Sequence, residues 1–450
     1  YRNFTKKSKM RLFYFLLVCS LNISLRLFYK RILFINKPKR FFNRTIYVSN
    51  HPNSFMDPIM LGALSKSIFH FMTRSDVFKW WLKPFLWLAH MLPIYRQHDG
   101  ENTQEKNKNV FNRVNKTLAS GRNILIFGEG FTDDTPIRGL KPIKKGAVRM
   151  GLTALEGCNW EKKIYLASIG INYTDRNTIG SELLVEYGGE ICLNDYRKEF
   201  EENTPKAIND ITKKLEGMMQ DCVIYVADKS NYALLEGIMQ ITRKGFNYAN
   251  HDDRLSLKER FDYAKKLAHW INENASEENE AINQLKKELN AYFALEKRMH
   301  LQDRFVVGSA NPATFNRTKE LLLLLTTWPV AILGALQGFI PYILAKKLTE
   351  KIMKRKVFWG SVKMLLGTVF GTIYSIPIVM WLTKNYFPHW SFGALYFSFV
   401  APALWKFSYD YGTWFKEYKL KGLMRKADMT KFVVKRNLLA QQIAALVPVA

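Results

Sequence analysis

From Arg44 to Ile191, short runs rich in β-branched and aromatic residues alternate with stretches whose apolar positions recur every three or four residues. The first pattern predicts strands near 45–49, 68–73, 92–95, 123–127, 164–171 and 183–187, and the second predicts helices between them. Strand and helix in alternation imply an α/β domain over 44–198 with a mostly parallel sheet. Within it, ENTQEKNKNVFNRVNKTL (Glu101–Leu118) reads as a solvated surface helix. Residues 199–318 are charged, strand-poor and helix-periodic, as in LSLKERFDYAKKLAHWI, and predict packed amphipathic helices.

Three long apolar runs follow: Leu321–Ala345, Val357–Leu382 and Trp390–Trp405. The first contains Pro329, Gly334, Gly338 and Pro341, which disfavour a continuous helix. Residues 319–410 are therefore expected to form a membrane hairpin and two transmembrane helices, with three plain spans as the alternative, ahead of a basic C-terminal tail at 411–450. At the other end, residues 1–43 mix Leu, Phe and Tyr with Lys and Arg and predict amphipathic membrane-associated helices. A buried helix packed on the α/β domain is the alternative there. Nothing after the apolar stretch Leu12–Leu25 resembles a small-residue cleavage site, which argues against an exported signal peptide.

Charge sharpens this picture. The 67 Lys and Arg against 39 Asp and Glu give a formal +28, so an acidic partner is expected. The basic residues flank apolar runs, which points to anionic membrane lipids and not to nucleic acid. Six Lys or Arg lie in Lys346–Lys356, whereas only Lys384 lies between the second and third runs. The positive-inside tendency then puts that loop and the tail on one side with the α/β domain, as in an integral protein of a bacterial cytoplasmic membrane facing the cytosol. The four cysteines, Cys19, Cys158, Cys192 and Cys222, have neither zinc-ligand nor C-x-x-C spacing and read as small hydrophobes in a reducing compartment.

Candidate chemistry starts at TIYVSNHPNSFMDP (Thr45–Pro58), where a strand leads into His51, with Asp57 six residues on. Imidazole can take a proton from a hydroxyl near neutrality, and a carboxylate on its other nitrogen fixes the tautomer and stabilises the imidazolium. On a regular helix six positions separate two side chains by roughly 120°. The pair can meet only if the turn at Pro52 and Asn53 is not helical, although Pro52 itself suits a helix's first turn. Alone, the segment reads first as a strand, an N-cap and a surface helix with His51 satisfied by backbone, and the other motifs must shift that reading. Downstream, Asn123–Phe127 leads into Gly-Glu-Gly and a loop with Thr132, Arg138, Lys141, Lys144 and Lys145, a combination suited to a phosphate. Arg96 follows another apolar run.

In this order the segments resemble the glycerophospholipid acyltransferase (PlsC-like) superfamily. His51–Asp57 resembles its five-spacer His–Asp block, seen in glycerol-3-phosphate and dihydroxyacetone-phosphate acyltransferases. Arg96 resembles the arginine block, and Phe127, Gly128, Glu129 and Gly130 with Lys144 and Gly146 resemble the Phe-Pro-Glu-Gly block. SIGINYTDRNTIGSELLVEYGGEI (Ser168–Ile191) is similar to a fourth element of that subgroup. Two departures stand out: Gly128 replaces the family proline, and Thr132, Asp133 and Asp134 occupy the stretch where an arginine is common. Arg138 is the substitute.

The resemblance implies His51 and Asp57 as catalytic residues, and Arg96, Glu129, Gly130, Thr132, Arg138 and Lys144 as substrate-binding residues. It implies transfer of an acyl group from acyl-CoA or acyl-carrier protein to glycerol-3-phosphate or dihydroxyacetone phosphate, with no metal and no further cofactor. Lysophosphatidate or another lysolipid is the alternative acceptor. A non-catalytic lipid-binding membrane protein is the reading from outside enzymology.

Overall fold

The computed structural model describes residues 2–38, 43–65, 68–80, 83–95, 103–132, 134, 138–248, 250–276, 278–309, 317–387, 389–426 and 429–448. In chain order they form α1 (Arg2–Phe28), β1 (Arg31–Ile35), β2 (Thr45–Ser49), α2 (Met56–Leu64), β3 (Phe69–Arg74), α3 (Lys83–Leu88), β4 (Met91–Ile94), α4 (Thr103–Ala119), β5 (Asn123–Phe127), α5 (Gly146–Glu156), β6 (Tyr165–Tyr173), β7 (Glu182–Cys192), α6 (Arg197–Glu202) and α7 (Thr204–Gln220). A helical series follows: α8 (Tyr232–Thr242), α9 (Leu257–Asn274), α10 (Glu280–Arg298), α11 (Asp303–Ser309), α12 (Arg317–Ile352), α13 (Trp359–Asn385), α14 (Trp390–Leu395), α15 (Ala401–Lys426) and α16 (Thr430–Leu446). Two compact units result. One is Tyr1–Leu25, Ile32–Tyr173 and Leu183–Tyr225, and the other is Arg26–Arg31, Thr174–Glu182 and Val226–Ala450.

The first unit is built on a sheet of order β1-β7-β6-β2-β5-β3-β4. β2 pairs in parallel with β5 and β6, β3 pairs in parallel with β4 and β5, and β7 runs antiparallel to β6. All five residues of β2 are buried, as expected of a central parallel strand covered on both faces. Ile46 and Val48 join Ile124, Val148, Leu155, Leu166 and Leu215 in the core beneath α4, α5 and α7. Tyr47 points the other way and meets Phe69 and Tyr187 edge-on. On that side Asn22 of α1 donates to the Ala63 carbonyl of α2 at 3.3 Å.

Three expectations change in this unit. Residues 31–35 are a strand at the sheet edge and not part of an N-terminal helix, since Arg-Ile-Leu-Phe-Ile completes the pairing beside β7. α4 is not simply a solvated element, because Val110, Val114 and Leu118, spaced four apart, are buried. Pro52 lies in a turn, with α2 starting only at Met56.

In the second unit, α12 is one continuous 36-residue helix containing Pro329 and Pro341, so the expected hairpin is absent. Gly334 and Gly338 are contact positions and not breakers. A Cβ on Gly334 would collide with the Leu404 carbonyl, and one on Gly338 with the Trp405 ring. The pair forms a small-xxx-small stripe that lets α12 and α15 approach closely, as in lipid-exposed bundles. The two run antiparallel, with Glu320 beside Lys421 and Gly334 beside Leu404. Among the described residues, the helices long and apolar enough to cross a membrane are Arg317–Ile352 and Lys356–Asn385. The third apolar run is not among them, its helix continuing into α15 with Lys406 and Asp410. The stretch read as a tail contains α16, whose Phe432, Leu439 and Ile443 are buried along one face.

Candidate active site

Three adjacent parallel strands, β5, β2 and β6, each deliver one residue at or just past the C-terminal end: Glu129, His51 and Tyr173. That edge of a parallel sheet, where the chain switches from one side of β2 to the other, is the usual place for a ligand crevice. The Asn50 side chain fixes the exit of β2. Its amide donates to the Ile171 carbonyl at 3.0 Å and its oxygen accepts from the Ile171 amide at 2.7 Å, extending the pairing with β6 by one side chain.

Residues 52–55 then form a turn, with Ser54 at φ 42°, before α2 begins. This non-helical turn brings His51 and Asp57 together: Nδ1 lies 2.8 Å from Oδ2. Asp57 is fully buried and His51 is 18% exposed, so the imidazole can reach a ligand while its partner cannot reach water. The carboxylate takes two more hydrogen bonds, from the Asn53 amide at 2.8 Å and the Tyr173 hydroxyl at 2.7 Å. With Nδ1–H donated to Asp57, Nε2 is the basic nitrogen. Phe127 at the end of β5 stacks on the His51 ring, centroids 4.0 Å apart, and fixes its plane.

Gly128 carries β5 onward. Its amide donates to the Ser49 carbonyl at 2.9 Å, a bond that a proline could not make. A Cβ there would lie 2.8 Å from Val48 and 3.0 Å from Ile143, so the glycine at the family's proline position suits this chain. Gly130 has φ +75°, and Lys144 lies directly over it, with Nζ 2.6 Å from where a Cβ would be. Its amide donates to the Phe127 carbonyl at 3.2 Å, closing the turn.

Glu129 is 2% exposed. Burial pushes its carboxyl up to about 7, opposed by the charge of Lys141 and reinforced by that of Asp57. Lys141 Nζ stands 3.9 Å from Oε2, beyond hydrogen-bond reach but close enough to attract. Near neutral pH this group can therefore be protonated or ionised, and it sits between the His–Asp pair and a lysine.

The structure thus gathers His51, Asp57, Glu129, Gly130 and Lys144. Thr132 and Arg138 are both buried, and Arg138 donates to the Tyr173 carbonyl at 3.2 Å, so it is not a solvated loop charge. Arg96 lies outside the described residues. Sequence reasoning assigned no role to Tyr173, although Asn-Tyr at the end of a buried apolar strand is the signal that could have found it. Lys141, grouped there with the phosphate cations, faces Glu129. Among the described residues no group of three or more His, Cys, Asp or Glu could hold a metal ion.

Comparison with known proteins bears on the same segment. The family model Acyltransferase matches residues 35–172. Among solved structures, the 1-acyl-sn-glycerophosphate (LPA) acyltransferase PlsC from Thermotoga maritima is 14% identical, covers 48% of this chain and 80% of its own, and gives a TM-score of 0.32, too distant to bear on the geometry. A search of curated proteins finds no match. The residues matched by the family model contain His51, Asp57, Glu129 and Lys144. Over residues 35–172 the chain is thus similar to the acyltransferase family, in line with the resemblance of its motifs to the glycerophospholipid acyltransferase superfamily.

Proposed function

We propose that the chain transfers a fatty acyl group from acyl-CoA or acyl-carrier protein to a hydroxyl of glycerol-3-phosphate or dihydroxyacetone phosphate, at the cytosolic face of a bacterial membrane rich in anionic lipids. The observation that carries this reading is the His51–Asp57 contact at 2.8 Å, with Asp57 held from two further directions. His51 Nε2 removes the acceptor's hydroxyl proton as its oxygen attacks the thioester carbonyl, and the imidazolium formed rests against Asp57. Collapse of the tetrahedral intermediate expels the thiolate, which takes that proton from His51.

The Gly130 amide is committed to Phe127, so the Glu129 amide is the oxyanion donor we favour in this turn. Lys144, with Arg96, meets the acceptor phosphate, because converging cations neutralise its two charges. Arg138 and Thr132 support this pocket from within. The five-residue spacer supports the small phosphorylated acceptor over a lysolipid. Membranes containing the protein should be assayed with labelled glycerol-3-phosphate, dihydroxyacetone phosphate and 1-acylglycerol-3-phosphate in parallel, each with CoA and carrier-protein donors. Acylation of either small phosphate supports the reading; acylation of 1-acylglycerol-3-phosphate alone replaces it with the lysolipid one.

A further inference from the structure

Helix α12 is anchored at both ends, and both anchors belong to one polar frame within the second unit. At its start, Lys421 of α15 bonds Glu320, and Arg304 of α11 bonds Glu417 of α15 at 2.7 Å. Beyond its far end, where Lys363 of α13 bonds Glu350 of α12, the Gly360 amide of α13 donates to the Asn177 side chain at 3.3 Å, and a Cβ on Gly360 would lie 2.9 Å from the Arg176 carbonyl.

The frame between these anchors is continuous. The Tyr248 hydroxyl lies 3.8 Å from where a Cβ of Gly180 would be, Asn250 donates to Asp303, and Asp303 accepts from Arg436 and Tyr292. Glu182, which closes the 174–182 turn, is bonded by Arg31 and by the buried Arg260 of α9. Burial raises the Tyr248 hydroxyl's pKa, and the charges modulating it come from Arg304, Asp175, Glu417 and Asp410.

Geometry then limits how this bundle meets a bilayer. At about 1.5 Å per residue, α12 is roughly 50 Å long between its anchors, whereas a hydrocarbon core is about 30 Å thick. Were α12 to cross, its ends would face opposite sides, and the frame joining them, with Asp175, Arg176, Asn177, Asp303 and Arg304, would run through lipid. Each such charge is strongly disfavoured there. α13 follows α12, with Lys363 bonded to Glu350 at 2.9 Å and Ser375 to Gln337 at 2.6 Å, so it shares that orientation.

We propose that α12 and α13 do not cross the membrane but lie along it, with their outer apolar side sunk into one leaflet. This rests on the reading that the bundle meets a membrane at all. The outer side is furnished by Leu322, Leu325, Leu336 and Phe339 of α12 with Ile373 and Met380 of α13, all exposed. Its occupant is the acyl layer of anionic lipid. Lys354, Arg355 and Lys356 are exposed at the end of α12, and Trp359 sits beneath Lys356 and Lys363 at 5.9 and 4.6 Å, a basic and aromatic rim suited to headgroups. The length and hydropathy that make these helices look like spans are satisfied equally by immersion in the plane.

The test uses the full chain in sealed right-side-out and inside-out vesicles. Single cysteines at Lys287→Cys (α10), Lys354→Cys and Asn385→Cys are introduced into a background lacking the four native cysteines and treated with an impermeant maleimide. All three should react from the same face. Reaction of position 354 or 385 from the face opposite 287 overturns the proposal while leaving the membrane reading intact. Recovery of the protein in the soluble fraction overturns both. Should the cysteine-free chain fail to fold, a protease recognition sequence inserted after Lys354 or after Asn385 in the otherwise unaltered chain gives the same readout, cleavage from opposite faces being the overturning result.

Discussion

β2 with its exit turn and α12 with its partner α15 both bring backbone into close, largely buried contact, by opposite means. At the end of β2 the contact is made by polar side chains: Asn50 clips β6, and Asp57 collects Asn53, Tyr173 and His51. Between α12 and α15 it is made by missing side chains, since Gly334 and Gly338 leave room for Leu404 and Trp405. Polar bonds supplement it: Lys421 bonds Glu320, the Tyr411 hydroxyl donates to the Leu324 carbonyl at 3.2 Å, and Gln337 of α12 bonds Ser375 of α13 and Tyr396. The difference teaches where function is exposed to substitution. In the first region a single hydroxyl matters more to chemistry than to folding; in the second a single methyl group matters to packing and not to chemistry.

The largest effect expected from this contrast is structural. Gly338→Leu forces a branched side chain into the Trp405 ring and should destabilise the α12–α15 contact by about 3 kcal/mol or more. Protease digestion should then cut within α12 to α15 sooner than in the parent, while acyl transfer in detergent falls less than twofold. A loss of activity matching the loss of packing would erase the distinction between the regions.

Next in size is Tyr173→Phe. It removes one hydrogen bond to a charged group, worth about 1.5 kcal/mol, so kcat should fall roughly tenfold with the KM of both substrates unchanged. An unaltered kcat would show that Asn53 and His51 suffice to orient Asp57.

Smallest is Glu129→Gln. The native carboxyl is raised from 4.5 to about 7, so the folded state holds its proton more tightly than the unfolded chain. Stability contributed by that proton is present below about pH 4.5 and is lost as pH rises to about 7. The neutral variant should equal the parent in thermal unfolding near pH 4.5 and exceed it by on the order of 1 kcal/mol near pH 8, after the loss of attraction to Lys141 is counted. A variant less stable at pH 8 would mean that the Lys141 attraction outweighs burial.

Much of the α/β region was legible because its signals are local. β-branched runs mark Thr45–Ser49 and Asn123–Phe127, and the 120° argument for His51 and Asp57 required the turn found at residues 52–55. What escaped depended on partners distant in sequence. Tyr173 reaches Asp57 across 116 residues, and although Asn-Tyr at the end of its strand marks a candidate polar group, its segment does not identify Asp57 as the partner. Strand β1 was hidden because Arg-Ile-Leu-Phe-Ile continues the apolar composition of α1, and only the free edge of β7 makes it a strand. In α12 the error was one of sign. Glycines that weaken an isolated helix strengthen a pair of helices, and composition cannot tell which applies without the partner surface of α15.

The central claim, that His51 paired with Asp57 is the base of an acyl-transfer site, is tested most directly by initial rates of acyl transfer to labelled glycerol-3-phosphate or dihydroxyacetone phosphate. The parent protein would be compared with His51→Ala and Asp57→Asn in membranes containing equal amounts of folded protein. His51→Ala should lose about 10² to 10⁴ in rate, as for removal of a general base, and Asp57→Asn should show a large loss. Near-parental turnover by His51→Ala would contradict it.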